Sequence, residues 1–241
     1  MFTCFLAFRS GASAQRLAKR YPWRGFTLVE LLVVIVIVGI LIALVMPSIT
    51  KARDSAQSVK CMSNLRQIWV MTETYCTDNG NILPPSYGWT SGGSVWLEYL
   101  VAQVKGISIY DARDAIARGE VPSHCPIVLP SDKDITLKSP SGASYWINYG
   151  VNFNNLGQFQ TTNGLPNFSR LKVSLPSKCI YLADAPGALL NPYGPPAWQA
   201  AARHHGRSNV LWMDGHVTSE LTSWLNNPST ADYIENWWST R

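Results

Sequence analysis

The apolar stretch 26–46 contains a single charged side chain, Glu30. A carboxylate held in hydrocarbon costs several kcal/mol unless it is paired, so Glu30 calls for a partner and marks a functional position. Near the other end of the chain His204, His205, Asp214 and His216 lie close together in sequence. Imidazole nitrogens and a carboxylate are donors that transition-metal ions select. Calcium would draw instead on oxygens, for which Asp184, Asn209 and Asp214 are available. The simpler chemistry is conformational: Asp214-Gly215 suits a tight hairpin turn, with the Asp side chain bonding its own backbone. No His-x-x-x-His pair accompanies the cluster, and neither a metal nor a cofactor is expected. Hydrolytic signatures such as Gly-x-Ser-x-Gly and His-Glu-x-x-His are absent, so no enzymatic activity is expected. Trp89, Trp96, Trp146, Trp198, Trp224, Trp237 and Trp238 could stack against sugars, but core and loop packing is the plainer use of Trp.

A long helix must position Glu30. Residues 26–46 suffice to cross a hydrocarbon core of about 30 Å at about 1.5 Å per residue. Pro47 follows and removes one helical hydrogen bond. Beyond it Ile49, Ala52, Ala56, Val59, Met62, Leu65, Trp69, Thr72 and Cys76 recur on a 3.6-residue period, up to the turn signal Asp78-Asn79-Gly80. The spacing predicts one helix over 26–77, membrane-spanning in its first half and amphipathic in its second. Residues 80–95 read as loop, with short helices at 96–104 and 108–118. Alternation at 145–153 and the apolar run 178–184 predict strands. A hairpin centred on Asp214-Gly215 should use a type I′ turn, in which both central residues have positive φ. The aromatic tail 224–238 would close the domain. The fold class is α+β: a long N-terminal stem helix packed on a small antiparallel-sheet domain.

Of the 20 basic side chains, five (Arg9, Arg16, Lys19, Arg20 and Arg24) lie in residues 1–25, which hold no acid; 15 remain against 15 acidic groups. The rest of the chain therefore gives no electrostatic case for nucleic acid. A basic N-terminal flank predicts a cytoplasmic N-terminus and an exported C-terminal domain; Lys51 and Arg53 on the other flank are fewer and are offset by Asp54. In an oxidising compartment Cys61, Cys76, Cys125 and Cys179 could pair in three ways. Cys61 and Cys76 are about 22 Å apart on one continuous helix and cannot pair with each other, which leaves the other combinations open.

The run Arg24-Gly25-Phe26-Thr27-Leu28-Val29-Glu30 and the apolar helix after it resemble the type III signal of type IV prepilins and type II secretion pseudopilins. A secretory signal peptide would have a shorter apolar core and a small-residue cleavage site, whereas this run continues into Met46-Pro47-Ser48. The resemblance implies a leader over 1–25, which carries Cys4 and is longer than most such leaders. It implies a prepilin peptidase cut between Gly25 and Phe26, methylation of the new Phe26 terminus, and pairing of Glu30 with the terminal ammonium of a neighbouring subunit. His204, nine residues and then Asp214-Gly215 are similar to the H-X9-DG signature of prepilin-like proteins. Cys125-Pro126, Tyr149-Gly150-Val151-Asn152 and Asp184 fall at further positions of that group.

Together the two resemblances imply a membrane helix over 26–47, an amphipathic continuation over 48–77 and a pilin-like periplasmic domain over 78–241, with the signature region at 203–217. They describe a single-pass inner-membrane protein that becomes a structural subunit of a type II secretion or type IV pilus-like filament. Its partners would be the prepilin peptidase and other pseudopilin subunits. The alternative is a surface binding module, an adhesin or glycan receptor, that uses the same stem for export.

Overall fold

A computed structural model describes residues 25–88, 94–127, 129, 137–142, 144–152, 161–162, 165–166, 168–191 and 198–227. Residues 1–24, Trp89, Phe153, the prolines of 192–197 and the tail with Trp237 and Trp238 lie outside them. The chain divides into two compact units, Met1–Ser48 and Ile49–Arg241.

Helix α1 (Leu28–Asp78) runs without interruption through Pro47. In the first unit its side chains are exposed throughout, and it is long and apolar enough to cross a membrane. In the second unit α1 buries Cys61, Asn64, Leu65, Ile68, Thr72 and Cys76. Leu65, Thr72 and Cys76 belong to the expected stripe, but Ile49 and Val59 are exposed. The true face is rotated toward Cys61 and Asn64 because the surface it covers is partly polar. There Asn64 Nδ2 donates to the His124 carbonyl (3.0 Å) and to the Tyr149 hydroxyl (3.3 Å), and the hydroxyls of Thr72 and Tyr181 meet at 3.2 Å. Burial of Leu65 and Ile68 contributes about 1.5–3 kcal/mol each.

Helices α2 (Trp96–Lys105) and α3 (Ile109–Ala117) follow. Gly106, at φ 63°, ends α2, and the Ser108 hydroxyl accepts from the Asp111 N–H to cap α3. A buried ion pair joins them: Arg113 Nε donates to Glu98 Oε2 at 3.0 Å, and the Tyr145 hydroxyl donates to the other carboxylate oxygen. Burial pushes the Glu98 carboxyl above the usual carboxylate range. Trp96 is fully buried, its indole N–H bonded to the Ala188 carbonyl, so it packs as a core residue.

Among the described residues, antiparallel ribbons pair β1 (Tyr87–Gly88) with β2 (Ser94–Val95), β3 (Leu137–Lys138) with β4 (Ser144–Tyr145), and β6 (Thr161–Thr162) with β7 (Leu165–Pro166). The central sheet contains β5 (Tyr149–Asn152), β8 (Ile180–Asp184), β9 (Leu189–Leu190), β10 (Arg207–Trp212) and β11 (Val217–Leu221), in the order β11-β10-β8-β5-β9. Its pairings are antiparallel except β5 with β9, so the sheet is mixed. The chain leaves β8, passes Ala188 and lays β9 on the far edge of β5. Gly150 permits that approach: a Cβ there would stand 2.9 Å from the Leu189 carbonyl.

The strand expected over 145–153 is split. Residues 146–148 leave the ladder, and Asn148 Oδ1 instead accepts from the Cys125 N–H at 2.7 Å. Alternation along β10 feeds two cores. Leu211 joins Leu65, Ile68, Leu97, Leu100 and Tyr181 on the helix side, whereas Val210 and Trp212 join Ile180, Ala183 and Leu225 on the other. The short α4 (Thr222–Leu225) supplies Leu225.

Candidate functional site

Gly25, Phe26 and Thr27 precede the helix in non-helical backbone, and Phe26 is 79% exposed. Thr27 caps α1. Its hydroxyl accepts from the Glu30 N–H (3.3 Å), while Glu30 Oε2 accepts from both the Thr27 N–H and the Thr27 hydroxyl at 2.9 Å. This reciprocal arrangement is a capping box, legible in the sequence as Thr-x-x-Glu. Glu30 thus has hydrogen-bond donors within its own chain. These donors are neutral, and among the described residues no cation accompanies the carboxylate.

The second set of residues gathers around a disulfide. Cys61 of α1 is bonded to Cys125, with the two Cα atoms 4.9 Å apart, and both are fully buried. Sequence arithmetic left this pairing open; the fold selects it by laying α1 across the segment after α3. His204 Nε2 lies 3.5 Å from Cys125 Sγ and 3.3 Å from Asp184 Oδ2. Asp184, at the end of β8, is wholly buried and accepts the Asn209 N–H of β10 at 2.7 Å. Asn209 also reaches the Ser58 carbonyl of α1 at 3.5 Å. A cleft of about 370 Å³ lined by Lys51, Asp54, Ser58, Arg203, His204 and His205 reaches this cluster from the His204 side. Cys76 and Cys179 are buried and lie outside the disulfide; burial pushes the Cys76 thiol up to about 11, so it is not a ready nucleophile.

Two turns set these positions, and they differ from expectation. His204 and Arg207 exchange both backbone hydrogen bonds at 3.1 Å, and the residues between them, His205 and Gly206, have φ of 53° and 83°. Two positive φ values in a two-residue hairpin are the type I′ signature, so that turn lies here and not at Asp214-Gly215. It puts His204 at the head of the β10 ladder with its ring inside; exposed His205 lies 3.3 Å from Asp54.

At the far end of β10 only Gly215 has positive φ (88°). Its N–H bonds the Trp212 carbonyl (2.9 Å), and the Trp212 N–H bonds the His216 carbonyl (3.0 Å). That is a three-residue loop in which glycine takes the left-handed position. Asp214 is exposed and accepts from both the backbone and the ring of His216, so it does turn chemistry and takes no part in the buried cluster. Gly215 has a second constraint: a Cβ there would fall 2.3 Å from the Trp69 indole of α1. Gly215→Ala is expected to lower stability by about 3 kcal/mol through left-handed strain and overpacking. A denaturant midpoint unchanged from wild type would show that the Trp69 contact does not constrain the turn.

Residues 24–46 match the family described as the prokaryotic N-terminal methylation motif. The chain is 41% identical over 61 residues to type II secretion system core protein G of Klebsiella michiganensis, covering 25% of this chain and 43% of that one. It is 40% identical over 61 residues to the protein of the same name from Pseudomonas aeruginosa (25% and 43%), and 39% identical over 59 residues to that from Pectobacterium carotovorum (24% and 38%). The chain spans less than half the length of these curated relatives. No solved structure matches it significantly.

Proposed function

We propose that the chain is a pseudopilin-like structural subunit of a type II secretion or related filament, anchored in the inner membrane by α1. The observation that carries this reading is the Gly25-Phe26-Thr27 segment: exposed, non-helical backbone set directly before a capped apolar helix, within the matched methylation motif. A peptidase needs extended, accessible backbone, and the Thr27–Glu30 box supplies it by fixing where the helix starts. Prepilin peptidase cuts between Gly25 and Phe26 and the new Phe26 amine is methylated. The basic residues before the cut hold the N-terminus in the cytoplasm, and the second unit lies in the periplasm.

Stems then associate side by side, and Glu30 meets the terminal ammonium of a neighbouring copy or related pseudopilin. The similarity to core protein G favours this subunit reading over a glycan-binding module. Gly25→Glu is expected to leave the chain uncut when co-expressed with the peptidase, giving by mass spectrometry a product heavier than the processed wild type by the leader. A variant trimmed to the same Phe26 terminus would refute the assigned bond.

A further inference from the structure

A disulfide is neutral and asks nothing of its neighbours, yet two buried donors with unused capacity surround this one. Asp184 Oδ1 and His204 Nδ1 are buried without a hydrogen-bond partner among the described residues. His204 Nε2 meanwhile faces both Cys125 Sγ at 3.5 Å and Asp184 Oδ2 at 3.3 Å. One donor atom from each of Cys61, Cys125, Asp184 and His204 lies within 4.8 Å of the other three. We propose that, when Cys61 and Cys125 are reduced, these four side chains form a closed Zn²⁺ site, so that zinc binding and disulfide formation are alternative states of one cluster.

Two thiolates, one imidazole and one carboxylate make a tetrahedral donor set for zinc, with bonds of about 2.3 Å to sulfur and about 2.0–2.2 Å to nitrogen and oxygen. Donor atoms in such a set stand roughly 3.3–3.8 Å apart. The two His204 distances already fall in that range. The sulfurs have to part by rotation of the two Cys side chains, and the other donor pairs, all within 4.8 Å, close to the same range as the ion enters. The Asn209 N–H fixes the Asp184 carboxylate from outside the set, as an outer-shell donor does. The cleft that reaches His204 gives the ion a path in.

The two states interconvert with a disulfide-class oxidant. The oxidant takes two electrons from the two thiolates, the Cys61–Cys125 bond forms and the oxidant's S–S bond breaks. Two protons from solvent complete its thiols, and Zn²⁺ leaves. The zinc state belongs to reducing conditions and the disulfide to oxidising ones. The site requires no filament: it is built within one chain.

The test uses the mature chain in detergent, reduced anaerobically with a non-chelating phosphine in the presence of Zn²⁺, then desalted and analysed for metal. About one zinc per chain is expected after reduction and none in the oxidised protein. Co²⁺ in place of Zn²⁺ should give a thiolate charge-transfer band and the intense visible bands of a tetrahedral ion. His204→Ala and Asp184→Ala should each weaken zinc binding by about a hundredfold or more, since losing even an outer-shell partner costs about 10–100-fold. Far-UV circular dichroism reports whether each protein keeps its fold. Stoichiometric zinc retained by a Cys61→Ser/Cys125→Ser variant would overturn the site. So would a reduced wild-type chain that binds no zinc, including one that loses its fold on reduction and does not recover it with Zn²⁺.

Discussion

Glu30→Gln is expected to leave cleavage and the helix start intact and still to exclude the chain from a filament. The capping box works with Gln as well as Glu, because an amide oxygen can accept the Thr27 N–H and hydroxyl as the carboxylate does. What Gln lacks is charge. A charge-assisted contact contributes about 1.5–3 kcal/mol, so incorporation should fall by about tenfold or more per subunit contact. Glu30→Val removes the charge and the carboxylate half of the capping box, and should combine the same assembly loss with a weakened helix start. Filament yield by immunoblot of sheared fractions, with processing followed in the same cells, separates the two roles. Normal assembly of the Gln variant would mean that Glu30 serves its own helix and that the intersubunit pairing is wrong.

The second large effect lies in the other unit. Replacing Cys61 and Cys125 together with Ser should destabilise the oxidised protein by about 4 kcal/mol, the entropic value for a crosslink spanning 64 residues. The loss should be cooperative, because the bond fastens the buried face of α1 to the segment after α3, beside the Asn64 and Asn148 hydrogen bonds. Denaturant titration of the mature chain in detergent, with and without reductant, measures it. Reduction of the wild type in the presence of a chelator should reproduce the shift. A change below about 1 kcal/mol would show that packing alone holds α1 in place.

These experiments address two parts of the chain that make different demands on sequence reading. The first is written locally. An apolar run of this length has one stable conformation in lipid, since a helix satisfies every backbone hydrogen bond internally. Its start is fixed by Thr27 and Glu30, three residues apart, and the Arg24-Gly25-Phe26 context lies within the matched motif. α2 and α3 are similarly legible, with apolar residues at helical spacing and a Ser108 cap. The hairpin around Asp214-Gly215 is legible, but its turn type is not: Gly215 alone takes positive φ there, and it lies against the Trp69 ring of the distant α1.

Local sequence sets the long apolar helix, the candidate cleavage point, the lone carboxylate, the α+β class and the exclusion of a Cys61–Cys76 bond. All of these follow from interactions within a few residues or from the solvent the segment must face. Tertiary structure decided which cysteines meet, which face of α1 is buried, that β9 joins β5 in parallel, and that His204 turns inward to Asp184 while Asp214 stays in its own turn. Those outcomes depend on partners between about 20 and 150 positions away: Cys61 with Cys125, Asn209 with Ser58, His204 with Asp184. Periodicity could not supply them, because the surface that α1 covers there is partly polar. A stripe chosen by hydrophobicity alone points Ile49 and Val59 inward, whereas burial with satisfied hydrogen bonds selects Cys61 and Asn64.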